Sequence, residues 1–284
     1  MQIAMYSYFD SMLIEKGIEK TAEYAKKLNF SGVELLSSTS TMLQDSIPNA
    51  TIARKVRKVL DDYDLPMVCY SVGCDTTEHD TVQKMYKKID IAKELGSPYV
   101  HHTLILGSPG KEKPANATEL NEKIAIAVDA AEKIAKYAES LGIVCIYEDQ
   151  GYYVNGVKQF GLFYNEIKKR CKNVGVCADF GNIMFMDEKP EDFLTEYAED
   201  VKHVHVKDFL YKKTNVNPGM YWRNIADSTW LRHTMIGHGV INYPACMQIL
   251  KENGYNGAIS LEISHPEPYE NGVQQAMEYL RHFY

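Results

Sequence analysis

The feature that most constrains this 284-residue chain is an alternation kept up from one end to the other. Short apolar runs, many of them β-branched, are separated by longer segments with apolar residues three and four apart. The runs are Ile3–Tyr8, Gly32–Leu36, Met67–Val72, Tyr99–Thr103, Ile143–Glu148, Val174–Asp179, His203–Lys207 and Ala258–Ile263. Being apolar on both faces, they read as parallel strands covered by helices. Stretches such as Ile18–Leu28, Thr51–Asp62 and Ala125–Leu141 carry the helical spacing. Asn29, Gly96, Gly142 and Gly254 stand just before the next run, where a helix ends in left-handed backbone. Eight such units suit an α/β fold of the closed (β/α)8 TIM-barrel kind better than an open sheet, which counting alone does not separate from it, and predict a single domain spanning residues 1–284. No Gly-x-Gly-x-x-Gly follows the first run, which weighs against a dinucleotide-binding sheet. Phe209–Gly239 is the longest stretch without a clear pattern. It predicts a long loop, 209–239, over the barrel's active-site mouth.

Composition narrows the partners. Hydrophobic residues make up 45% and charged residues 24%, enough for a real core. The net charge of -7 is dispersed, so neither nucleic acid nor an anionic membrane is an expected partner. No run of about 18 apolar residues predicts a membrane span. Met1-Gln2-Ile3-Ala4-Met5-Tyr6 does not resemble a signal peptide, and a cytoplasmic location is expected. The six cysteines contain no Cys-x-x-Cys pair and are expected to be reduced thiols.

The functional signal lies where polar residues interrupt the strands. Glu148 and Asp179 end the fifth and sixth runs, His205 sits in the seventh and Glu262 in the eighth. In a barrel, strand ends of this kind project into one shared mouth. A buried carboxylate costs several kcal/mol unless paired or metal-bound, on the order of the burial cost of any unpaired charge. Three carboxylates in one small space would repel one another, and a divalent cation relieves that repulsion. The set Glu148, Asp179, His205 and Glu262 is therefore the expected metal site. Its mostly oxygen donors suit Mn²⁺ best, with Mg²⁺, Co²⁺ or Zn²⁺ also compatible. His203, by contrast, reads as a hydrogen-bonded core histidine.

Five segments in order carry a resemblance: Glu148-Asp149-Gln150-Gly151, Asp179-Phe180-Gly181-Asn182, His203-Val204-His205-Val206-Lys207-Asp208, Ile236-Gly237-His238-Gly239 and Ser260-Leu261-Glu262. With them the chain resembles the sugar phosphate isomerase/epimerase family of xylose-isomerase-like barrels, its ketohexose 3-epimerase branch in particular, related to the endonuclease IV enzymes. The resemblance implies one divalent metal on the four residues named and an acid/base role for Glu148 and Glu262. It implies proton transfer by those glutamates through a cis-enediolate held by the metal, giving a sugar epimerase or aldose–ketose isomerase. It also implies a small sugar or sugar derivative as partner, and a homo-dimer or tetramer. The endonuclease branch needs further ligands; Tyr70 and Ser71, Asn182, and Leu231-Arg232-His233 stand where most of them would be. One departure is the turn, usually Gly-Glu-Gly in the family and here Gly237-His238-Gly239.

Second-rank candidates for substrate binding are His102, Lys207, Arg223, His233 and Glu34. Each has a structural alternative; Lys207, for example, could pair with Asp208 or Glu262. Tyr6, Tyr8, Tyr70, Tyr152, Tyr153 and Trp222 are candidates for an apolar wall against sugar carbons. A dehydratase of the inosose type is the alternative activity, because it shares the first proton abstraction and differs only in expelling a hydroxyl. An AP endonuclease and a non-catalytic sugar-binding barrel rank below it. The lack of a Gly-rich phosphate cradle favours an unphosphorylated sugar.

Overall fold

The structure is a computed structural model and describes residues 1–37, 50–105 and 113–283. Seven parallel strands come first: β1 (Gln2–Met5), β2 (Gly32–Ser37), β3 (Met67–Val72), β4 (Tyr99–His102), β5 (Val144–Glu148), β6 (Val174–Asp179) and β7 (Val201–Val206). The chain then makes β8 (Asp208–Lys213), β9 (Arg223–Ala226) and β10 (Thr229–Thr234), an antiparallel sheet in the order β8-β10-β9. Finally β11 (Ala258–Leu261) pairs with β7 on one side and β1 on the other and closes an eight-stranded barrel. The helices are α1 (Phe9–Lys16), α2 (Ile18–Lys27), α3 (Ala50–Asp62), α4 (Thr81–Leu95), α5 (Ala117–Ser140), α6 (Val157–Arg170), α7 (Pro190–Tyr197), α8 (Tyr243–Glu252) and α9 (Tyr269–Leu280).

The eight runs read from sequence are thus the eight barrel strands. Asn29, Gly96, Gly142 and Gly254 all take positive φ, as their place after a helix requires. At the other end of a helix, Asn116 accepts from Glu119 N at 3.0 Å, while Glu119 Oε2 takes Ala115 N at 2.7 Å. Such reciprocal capping stabilises a helix start by about 1 kcal/mol.

The stretch 209–239 is not an irregular loop. Phe209, Ile225 and Leu231 are buried at 1%, 4% and 1% exposure, giving the three short strands one apolar face to pack. Alternation over so few residues, broken by Pro218 and Gly219, is too short to read as a pattern in sequence.

Side-chain parity sorts the barrel into two layers. Tyr70, Tyr147, Val204 and Leu261 face outward into the large core shared with the helices. Each such fully buried large side chain contributes about 2–3 kcal/mol. Ala4, Val68, Cys69, Ile146, Cys177 and Ala258 form a separate small cluster inside the barrel. A register shift in β2–β3 pairing turns Val68 inward beside Cys69. Among the described residues no helix is long and apolar enough to cross a membrane.

Candidate active site

Above that apolar base the inward residues become polar, because parity continues up each strand. Ile146 is followed inward by Glu148, Cys177 by Asp179, His203 by His205, and Ser260 by Glu262. Ligand atoms of Glu148, Asp179, His205 and Glu262 all lie within 4.8 Å of one another. Asp179 and His205 are register partners on adjacent strands, which brings them side by side without any loop contribution. Glu148, Asp179 and His205 are buried, whereas the Glu262 side chain is 27% exposed.

His205 is held from two sides. Its Nδ1 lies 2.8 Å from Glu148 Oε1, and its Nε2 lies 3.0 and 3.1 Å from the two oxygens of Glu34. Glu34 also meets His203 Nε2 at 2.8 Å and accepts from Ser71 Oγ. Burial acts to raise the Glu34 carboxyl, but the charges of His205 and His203 hold it well below its ordinary value. Glu34 therefore sits beneath the mouth, fully enclosed, with its oxygens already occupied. His203 additionally meets Ser260 Oγ at 2.9 Å, the core role its sequence context implied. The ring of Tyr6 stacks on His205 with centroids 4.8 Å apart.

Lys207 carries its ammonium into the mouth, 2.9 Å from Asp179 Oδ2 and 2.7 Å from Glu262 Oε1. It pairs with Glu262, one of the alternatives open from sequence, and not with Asp208. The Asp208 carboxylate instead accepts backbone N–H groups from Phe209, Gly237, Gly239 and Ile241 at 2.8 to 3.3 Å. This wraps the Gly237-His238-Gly239 turn around one carboxylate. A β-carbon on Gly239 would strike Asp208, and Gly237 has φ +88° with the Tyr279 ring beside it. The departure at His238 falls on the exposed residue of the turn, between the two glycines that shape it.

The charge balance asks for another cation. Burial pushes the Asp179 carboxyl up to about 8, with Glu262 and Glu148 adding to the effect even though Lys207 opposes it. Asp149, whose Oδ1 accepts from Asp179 N at 3.0 Å, is raised well above its usual range by burial and the Asp179 charge. Glu148 Oε2 is buried without a hydrogen bond, its neighbour His101 Nε2 lying 3.5 Å away. Three carboxylates, one imidazole and an unsatisfied buried oxygen fit a divalent cation with mostly oxygen donors. Of the positions where further metals would need ligands, Asn182 gives its N–H to Asp179 Oδ1 at 3.0 Å and Leu231 is buried in the small sheet.

The second-rank candidates divide. His102 is carried to the other face of β4: its ring packs edge-on against Tyr147, 5.2 Å away, in the helix layer. Strand alternation makes its neighbour His101 the inward residue, 2.9 Å from Ser71 Oγ through Nδ1. His101 was missed by one position; its parity with Glu148 on the adjoining strand was the available signal. His233 lies on β10 near the mouth, its ring 4.3 Å from Phe209, and burial with the Lys207 charge lowers its pKa to about 4. Arg223 is exposed on β9, its guanidinium 5.5 Å from the Phe185 ring, and does not join the four-residue cluster. Tyr6 and Tyr8 line a cavity of about 460 Å³ that opens beside Glu262, together with Asp10, Leu36 and His265. Tyr70 and Tyr153 instead belong to the large outer core, and Tyr152 is buried.

The sequence profile of the xylose isomerase-like TIM barrel family matches residues 22–283, and the chain belongs to that family. It is 22% identical over 293 residues to an inosose dehydratase of Bacillus cereus (strain AH820), covering 97% of this chain and 93% of the relative. An inosose isomerase of Halalkalibacterium halodurans is 26% identical over 204 residues, covering 71% of this chain and 64% of the relative. In fold, the chain is similar to the IOLI protein with a binding zinc atom, with TM-score 0.73, 17% identity and coverage of 100% and 98%. It is likewise similar to D-allulose 3-epimerase from Methylomonas sp. in complex with D-allulose, with TM-score 0.72, 16% identity and coverage of 100% and 97%.

Proposed function

We propose that this chain, working as a single domain, is a divalent-metal-dependent sugar isomerase or epimerase that moves a proton next to a carbonyl. The observation that carries the reading is the convergence of Glu148, Asp179, His205 and Glu262 within 4.8 Å, with two glutamates of unlike exposure among them. Membership of the xylose isomerase-like TIM barrel family and the zinc atom bound in the similar IOLI protein support it. A bound divalent cation would supply Lewis-acid polarisation of the substrate carbonyl.

The chain's own residues do the rest. Glu262 edges the 460 Å³ cavity and is the glutamate open to substrate, so it takes the proton. Glu148, buried against His205 and His101, serves as its counterpart on the other side of the site. General acid/base catalysis by such a pair contributes about 100- to 10,000-fold. Tyr6 and Tyr8 offer aromatic faces to the carbon skeleton, while Asp10 and His265 offer hydrogen-bonding partners to hydroxyls. Among the described residues that line the cavity there is neither Lys nor Arg, and the nearby Lys207 ammonium is taken up by Asp179 and Glu262, which favours an unphosphorylated, polyhydroxylated substrate.

A dehydratase is the second reading, favoured by the inosose dehydratases among the relatives. It begins with the same proton abstraction and ends with loss of water. The test is to load the protein with Mn²⁺, Co²⁺ or Zn²⁺ and incubate it with ketohexoses and inososes in deuterated water. Deuterium at the carbon beside the carbonyl, with product mass otherwise unchanged, supports isomerisation or epimerisation. A product lighter by one water supports the dehydratase. Neither outcome with any of these substrates overturns the proposal.

A further inference from the structure

Resting on that reading, we infer that Lys207 is a resident stand-in for the metal, a cation belonging to the chain itself that a divalent ion must displace from Asp179 and Glu262. The geometry carries the argument. Its Nζ lies 2.9 Å from Asp179 Oδ2 and 2.7 Å from Glu262 Oε1, and those two carboxylates are half of the proposed ligand set. Its side chain is 5% exposed, so this is not a solvated surface pair. Asp179 Oδ1 already accepts the N–H groups of Gly181 and Asn182 at 2.7 and 3.0 Å, so Oδ2, the oxygen Lys207 holds, is the one left for a metal, and there ion and ammonium compete.

Lys207 is also built into place. Its aliphatic stem runs over Gly181, where a β-carbon would collide with Lys207 Cγ. Its carbonyl oxygen accepts from Tyr243 Oη at 2.9 Å, which anchors the residue from the opposite side. The strand end and the glycine slot therefore present the ammonium to the site; it does not arrive there by chance rotation. Without a metal, Lys207 keeps Asp179 and Glu262 from repelling each other, and the site stays assembled. With a metal, the ammonium is released from both carboxylates.

The test uses metal-stripped protein, Mn²⁺ as the probe and calorimetric titration, with thermal melting as a second readout. Lys207→Gln keeps hydrogen-bond donors but removes the competing charge, and should bind Mn²⁺ at least about tenfold more tightly than the parent chain. Its melting temperature should rise more on adding Mn²⁺ than that of the parent. Lys207→Arg keeps the charge and should gain no affinity. A Gln variant that folds only with Mn²⁺ present would also support the inference, since the metal then replaces the ammonium. Equal or weaker Mn²⁺ binding by Lys207→Gln, or failure to fold even with Mn²⁺, would overturn it. Failure of the parent chain to bind Mn²⁺, Co²⁺ or Zn²⁺ is a different result and sinks the functional reading beneath it.

Discussion

The two ends of the barrel interior are built from the same strands and solve opposite problems. At the base, Ala4, Val68, Cys69, Ile146, Cys177 and Ala258 fill the space with small or branched apolar groups. Nearer the C-terminal ends of the strands, Glu148, Asp179, His205 and Glu262 crowd their charges together, with ligand atoms all within 4.8 Å of one another. The base gains stability from burial, about 25 cal/mol per Å² of apolar surface. The mouth loses it through desolvation and recovers it only by pairing. Between them lies a layer that belongs to neither: Glu34, Ser71, His101, His203 and Ser260, buried, polar and mutually hydrogen-bonded. That middle layer carries the geometry of the mouth down onto the rigid base, since Glu34 holds the Nε2 side of His205. Function is thus concentrated where stability is poorest, and the polar middle layer connects the two.

Five substitutions and a change of pH would break or sharpen this contrast. At the mouth, Glu148→Gln and Glu262→Gln should each lower turnover by at least about 1000-fold. Glu262→Gln leaves the buried Lys207 ammonium one carboxylate short and should cost about 1–3 kcal/mol of stability. Assay and urea denaturation on the same preparations check both; a Gln variant with near-parental turnover removes that glutamate from the chemistry. In the middle layer, Glu34→Ala strands two histidines and should cost about 3–5 kcal/mol in denaturation midpoint analysis. A cost below 1 kcal/mol would mean that the layer does not support the mouth.

At the base, Ile146→Ala should destabilise by about 2–4 kcal/mol and leave metal affinity within about twofold of the parent. A large change in affinity would show that base and mouth are coupled. The smallest effect concerns His102 in the helix layer, whose pKa burial lowers to about 4. The unfolded chain binds a proton there below about pH 6.5, while the folded protein refuses it until about pH 4. Stability should therefore fall as pH drops through that window, by about 2 kcal/mol at pH 5 from this residue. Denaturation at pH 7 and pH 5, with His102→Asn losing that share of the dependence, measures it.

The sequence by itself determined more of the fold than of the site. Eight apolar runs separated by amphipathic segments were enough for parallel strands covered by helices, because strands covered on both sides must be apolar on both sides, and their number favoured a closed barrel over an open sheet. The polar ends of four of them pointed to the metal ligands as a set and with the help of the family resemblance, because a single charge at a strand end is commonplace. The same double-sided burial hid everything that depends on facing. In His101-His102 both positions are polar, and a one-residue difference decides between the site and the helix layer. Glu34 reads from sequence as a substrate-binding candidate or an ordinary ion-pair partner; only closing the barrel placed it under His205. The partners of Lys207 and Asp208 were decided in the same way, one by the glycine slot at Gly181 and the other by the turn that folds back over β8. Local periodicity is written in neighbouring residues, and the chain carries it openly. Which side chains meet across a closed sheet depends on register and curvature summed over all eight strands, and that was settled only in three dimensions.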